Sequence, residues 1–200
     1  MLGTPFEFEQ GETALSPAAI ADPAPWDRAR SAVAFDDGSK QLVHLLKYRD
    51  MLEAGIAMAK MMLGPGRKLL ADCDVILPVP LYRLRLWQRR FNQAAYLAQQ
   101  LSNCARKPWH HDVLLRRSST RPQVGLTADQ RHKNVRRAFE IAPEKRAHVD
   151  GKHVLLVDDV RTTGATAAAC AATLRQAGAC RVDVLTFALV LAPARLHIES

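Results

Sequence analysis

An apolar run, Val154-Leu155-Leu156-Val157, leads directly into Asp158 and Asp159. Val160-Arg161-Thr162-Thr163-Gly164-Ala165-Thr166 follows, and then an alanine-rich stretch. No other feature constrains the chain so tightly. A short, continuous apolar run reads as a parallel strand covered on both faces. Such strands deliver functional groups at their carboxyl ends, where open α/β sheets take ligands. Adjacent carboxylates there can accept hydrogen bonds from vicinal sugar hydroxyls. Their joint charge can also hold Mg²⁺, directly or through water. Thr162, Thr163, Gly164, Ala165 and Thr166 open a helix whose free N–H groups, with the threonine hydroxyls, form an anion site. Gly164 lets the backbone come close to a phosphate. An isolated Asp-Asp pair more often caps a helix or ends a strand. Strand, acid pair, hydroxyl–glycine loop and helix in this order point instead to a phosphorylated ribose.

Two other segments carry anion-binding chemistry. Asp74 to Leu81 reads as a second buried strand and turn, followed by a basic stretch with Arg83, Arg85, Arg89 and Arg90, then an alanine-rich helix to about Leu101. Paired arginine donors match phosphate oxygens, although a basic run alone is as often a solvated face. Arg117 to Phe139 is a long polar and basic segment, with Thr127 as a candidate helix cap. A loop of that length inside a compact domain is a lid, a binding loop or plain surface.

The Asp158-Asp159 stretch resembles the phosphoribosyl-pyrophosphate (PRPP) signature of type I phosphoribosyltransferases. The wider pattern resembles the ComF/GntX family. It consists of Pro78-Val79-Pro80, Arg90-Phe91-Asn92-Gln93, the spaced Thr120, Gln123, Leu126, Arg131, Asn134 and Phe139, and Val157 to Thr166. The resemblance runs from about Val33 to Leu191. It implies an α/β fold of the type I phosphoribosyltransferase kind, an open, mostly parallel sheet flanked by helices. Asp158 and Asp159 would then bind the ribose hydroxyls, and Arg161 to Thr166 the 5-phosphate. Pro80, Leu81 and Arg83 would form the pyrophosphate loop, with Thr120, Gln123 and Asn134 in a flexible loop. Arg89, Arg90 and Arg131 would be catalytic: Arg83, Arg85, Arg89 or Arg90 would stabilise the leaving group, and the Thr120–Arg131 loop would close to exclude water. The implied reaction is displacement of pyrophosphate from Mg–PRPP by a nitrogen nucleophile. The alternative is a non-catalytic module that handles single-stranded DNA, or docks a helicase, in competence.

The family's N-terminal zinc ribbon uses paired cysteines, whereas this chain has Cys73, Cys104, Cys170 and Cys180 and no Cys-x-x-Cys spacing. No structural zinc is therefore expected. Residues 1–28 read as an N-terminal arm, the remnant of that region without its ligands, and residues 29–200 as the phosphoribosyltransferase-like domain. Scattered cysteines make no disulfide framework, so a reducing cytoplasm is expected, with Cys73, Cys170 and Cys180 buried. No apolar run reaches membrane-spanning length, and the first residues lack a signal-peptide pattern. The net charge of +8 implies an anionic partner without choosing one. Aromatic residues, at 6%, do not recur through the basic segments as a stacking platform for single strands does.

Along the chain, Ala29 to Phe35 reads as an edge strand ending in an Asp36-to-Ser39 turn. Lys40 to Leu63 reads as an amphipathic helix, broken near Asp50 and stopped by Gly64-Pro65-Gly66. Lys47-Tyr48 matches a pair common in the family, and packing with surface charge accounts for it. His110 and His111 read as a surface loop, since adjacent histidines diverge and no third ligand adjoins them. Asp112 to Leu115 and Phe139 to Ile141 read as short strands, and Pro143 to Gly151 as a polar turn. Ala165 to Ala177 reads as a helix closed by Gly178, and Arg181 to Leu191 as a last strand.

Overall fold

The strand containing the acid pair and the last apolar run need cover on both faces, and each lies at the centre of one sheet. The computed structural model describes residues 24–48, 51–81, 91–117 and 138–191. Within them, β5 (His153–Arg161) pairs with β6 (Arg181–Leu189), β1 (Arg28–Ala34) flanks β6, and β2 (Val75–Pro78) flanks β5. The order is β1-β6-β5-β2, and every pair is parallel. This is the type I phosphoribosyltransferase-like α/β arrangement that the sequence implied.

The period-two alternation of a strand divides the core between the two faces. Val154 and Leu156 pack with Ala167, Cys170, Ala171 and Leu174 of α4 (Ala165–Gln176). Leu155 and Val157 pack with α1 (Asp37–Tyr48), α2 (Leu52–Asp72) and α3 (Gln93–Ala105), through Leu46, Met58, Met62, Leu97 and Leu101. Each such fully buried side chain is worth about 1.5–3 kcal/mol. A separate antiparallel pair, β3 (Leu114–Arg116) with β4 (Phe139–Ile141), brackets residues 118–137, which lie outside the described residues.

The expected edge strand is β1, and the expected break near Asp50 falls between α1 and α2. The Asp36-to-Ser39 turn starts α1: Ser39 N donates to Asp36 Oδ1 and Asp36 N to Ser39 Oγ, each at 2.8 Å. This reciprocal pair is a helix-start box. Pro143 to His148 form a 3-10 helix.

Three expectations need correction. Gly64-Pro65-Gly66 does not stop the helix, because α2 runs on to Asp72. An interior proline costs about 3 kcal/mol. Burial of Leu69 and Leu70 in the turns beyond offsets it, and Gly66 allows close approach to the sheet. A Cβ there would lie 2.6 Å from Leu185 Cδ2. Second, β5 does not end before the acid pair. Asp158 pairs with Thr186 and Arg161 with Leu189, because β6 is long enough to carry the ladder on. Third, Cys180 is exposed, whereas Cys73 and Cys170 are buried as expected. Burial pushes the Cys73 thiol up to about 11.

The amino-terminal end of the sheet holds a buried charge cluster. Asp183, with 0% exposure, takes Arg28 Nη2 at 2.6 Å and His153 Nε2 at 2.7 Å. Arg28 also reaches Asp72 at 2.8 Å. The three strands β1, β5 and β6 are thereby tied together at the end opposite the acid pair. None of the described helices is long and apolar enough to cross a membrane.

Candidate functional site

In-register pairing of Val75–Pro78 with Val154–Val157 brings the carboxyl ends of β2 and β5 together. Val79 N donates to Val157 O at 2.8 Å, so the turn after β2 lies against Asp158 and Asp159. Asn92 ties the next helix to the same turn. Its Nδ2 donates to Val79 O at 3.1 Å, and its Oδ1 caps α3 by accepting from Ala94 N at 3.0 Å. A cavity of about 180 Å³ results, lined by Asp158, Asp159, Thr166, Pro80 and Leu81. Lys47, Gln93 and Arg116 also line it. A wider groove of about 720 Å³ adjoins it, sharing Pro80, Leu81, Asn92 and Arg116 and walled by Phe91, Tyr96 and Trp109.

The acid pair is electrostatically unequal. Lys47 Nζ lies 2.6 Å from Asp159 Oδ2, with both side chains mostly shielded from solvent. Burial, and then the charge of Asp159, hold Asp158 well above the usual carboxylate range. Backbone donors orient both groups: Asp159 N reaches Asp158 Oδ1 at 2.9 Å, and Val160 N reaches Asp159 Oδ1 at 2.7 Å. The hard oxygens suit Mg²⁺. With one Asp159 oxygen paired to Lys47, the two carboxylates would suit a hydrated ion rather than an all-protein cage. Asp158 and Asp159 would hold it. Among the described residues, no group of three or more His, Cys, Asp or Glu is placed to bind a metal. The His110 ring lies 4.1 Å from that of His148.

Thr162, Thr163 and Ala165 are exposed at the start of α4, and Ala165 N donates to Thr163 Oγ1 at 3.4 Å. Gly164 is buried, with φ +81°, at the helix cap. A Cβ there would come within 2.9 Å of the Trp26 ring. Gly164→Ala is therefore expected to cost about 1–3 kcal/mol, read as a lower urea midpoint, because the left-handed conformation and the ring contact both resist it. A variant as stable as the parent would refute the strained loop. The Arg161 side chain turns inward, 6% exposed, with its guanidinium 5.8 Å from the centre of the Trp26 ring.

The structure thus brings Asp158, Asp159, Thr166, Pro80 and Leu81 to one cavity, with Thr162 to Ala165 beside it. Arg83, Arg85, Arg89, Arg90, Thr120, Gln123, Thr127, Arg131 and Asn134 lie outside the described residues. Sequence reasoning missed Lys47, Gln93, Arg116 and Trp26. Lys47 had one signal, its match to the family pair. Trp26 had none, and it packs into the core although it stands in the segment read as an arm.

Residues 92–197 match the phosphoribosyl transferase domain. The DNA utilization protein YhgH of Escherichia coli O157:H7 is 33% identical over 173 residues, covering 82% of this chain and 73% of that one. Competence protein F of Haemophilus influenzae is 40% identical over 111 residues, covering 56% and 48%. The allosteric regulatory enzyme of purine biosynthesis, a solved structure, is 23% identical with a TM-score of 0.45, covering 66% of this chain and 25% of that one. The parallel sheet flanked by helices, with the acid pair in a central strand, defines a protein of the type I phosphoribosyltransferase-like fold class. The chain belongs to the phosphoribosyltransferase domain family and, within it, to the ComF/GntX group of competence-protein relatives.

Proposed function

We propose that the chain binds Mg–PRPP, or a related ribose phosphate, at the cavity between β2, β5 and α3. In this reading it transfers the phosphoribosyl group to a nitrogen acceptor. One observation carries the reading: Asp158 and Asp159 share a single cavity with Thr166 at the start of α4 and with the Pro80-Leu81 turn. The acids suit ribose hydroxyls, the helix start suits a 5-phosphate, and the turn suits a pyrophosphate. In the transfer, the anomeric C–O bond breaks and its electron pair leaves with pyrophosphate. The acceptor nitrogen forms the new bond and gives up a proton to solvent. The transition state resembles an oxocarbenium ion, so positioning and charge stabilisation are the protein's contribution. Mg²⁺, when bound, screens the pyrophosphate charge.

The names of the relatives favour a second reading, in which the protein handles single-stranded DNA during competence with the ribose-phosphate site as a sensor. The net charge of +8 is compatible with it. Titration calorimetry of PRPP with Mg²⁺ separates the two, run beside a gel shift of a labelled single-stranded oligonucleotide at low salt. Saturable PRPP binding is the expected result. No PRPP binding by folded protein, with a salt-sensitive oligonucleotide shift, would overturn the first reading in favour of the second.

A further inference from the structure

We propose that Gln93 is a ligand-binding residue of the acid-pair cavity, donating through its carboxamide to a pyrophosphate oxygen. The inference rests on the ribose-phosphate reading above and deepens it. Gln93 is the first residue of α3 and is 1% exposed, yet among the described residues its amide nitrogen has no hydrogen-bond partner. Leaving a buried donor unmade costs the full desolvation of the group, and folded proteins keep few such groups. A retained one points to a use. Gln93 lines the same cavity as Asp158, Asp159 and Lys47, on the side formed by Pro80, Leu81 and the start of α3. Thr166 belongs to α4, which packs on the opposite face of the sheet from α3. The end of the ligand near Gln93 is therefore the one remote from the 5-phosphate.

Residue chemistry agrees with that placement. The positive end of the α3 dipole favours an anion there, and Asn92 already occupies the N–H of Ala94. An amide supplies a donor without a charge. A half-turn about the terminal torsion of Gln93 exchanges its nitrogen and oxygen, so a donor can be presented without moving the helix.

The test uses the full chain and the variant Gln93→Leu, which removes the polar atoms at similar volume. Calorimetric titrations with Mg²⁺ would use PRPP, pyrophosphate and ribose 5-phosphate, with urea denaturation of both proteins. The variant is expected to be at least as stable as the parent, and to bind pyrophosphate and PRPP about ten- to a hundredfold more weakly, the range for a hydrogen bond to a charged group. Its affinity for ribose 5-phosphate should not change. Equal binding of all three probes would make Gln93 a packing residue and overturn the inference. A parallel loss for ribose 5-phosphate would overturn it too, since the effect would then be on cavity shape. Gln93→Asn, which shortens the donor, is expected to be intermediate and guards against misfolding of the leucine variant. A wild type that binds ribose 5-phosphate but not pyrophosphate sinks this inference alone. A wild type that binds none of the three sinks the ribose-phosphate reading with it.

Discussion

The double variant Asp158→Asn/Asp159→Asn should lose Mg–PRPP binding by a factor of about a hundred or more while remaining folded. Two charge-assisted hydrogen bonds to ribose hydroxyls, each worth about 1.5–3 kcal/mol, account for a loss of that size. The asparagines keep the shape of the β5 end and of the surrounding turn. Asp158 also gives the experiment an internal sign. Its folded-state pKa lies above the ordinary 3.8, raised by burial and then by Asp159. A carboxyl with a raised folded pKa favours the folded state below its unfolded pKa, and that advantage is lost as pH rises through the folded value. At neutral pH, therefore, Asp158→Asn alone should raise the urea midpoint even as binding falls. In the wild type, PRPP affinity should tighten as pH rises through the elevated pKa of Asp158, and the single variant should lose that dependence. Calorimetry across pH with matched urea curves measures both. Unchanged affinity in the double variant would remove the acid pair from the site.

Asp183→Ala is expected to destabilise the fold by about 3–5 kcal/mol, the largest stability effect anticipated for a single substitution in this chain. Asp183 is fully buried and accepts from Arg28 Nε, Arg28 Nη2 and the Arg28 backbone N–H, and it faces His153 Nε2 at 2.7 Å. Removing it strands the Arg28 guanidinium, itself mostly shielded, beside a histidine and without its principal anion. The strand ends it joins, those of β1, β5 and β6, would lose their common tie. Asp183→Asn keeps one acceptor oxygen and should cost less. Urea denaturation followed by circular dichroism measures the loss. Because the cluster lies at the amino-terminal end of the sheet, whatever fraction of the variant is folded should bind PRPP as the wild type does. A change below about 0.5 kcal/mol, the usual range for surface positions, would show that the cluster is dispensable.

Much of this could be read from the residues. The run Val154 to Val157 needs cover on both faces and has it, and the apolar stretch from Val182 became the neighbouring central strand. Val79 to Leu81 and the acid pair do meet in one cavity. What misled the reading was local grammar overridden by packing. Pro65 and Gly66 are helix-breaking residues, yet α2 continues through them, because a glycine against Leu185 brings helix and sheet together and the next turns bury leucines. The Arg161 side chain is buried, with its guanidinium 5.8 Å from the ring of Trp26, a residue far away in sequence.

The residues alone determined the fold class, the parallel strand carrying Asp158 and Asp159, and the start of α4 after Gly164, because each follows from short-range periodicity and backbone chemistry. Only the tertiary structure decided that Lys47 docks on Asp159, that Gln93 is buried in the wall of the acid-pair cavity with a donor unmet among the described residues, and that Asp183 gathers Arg28 and His153. Those pairings join residues from strands and helices far apart in the chain. Their energies depend on burial and distance, which no spacing in the sequence encodes.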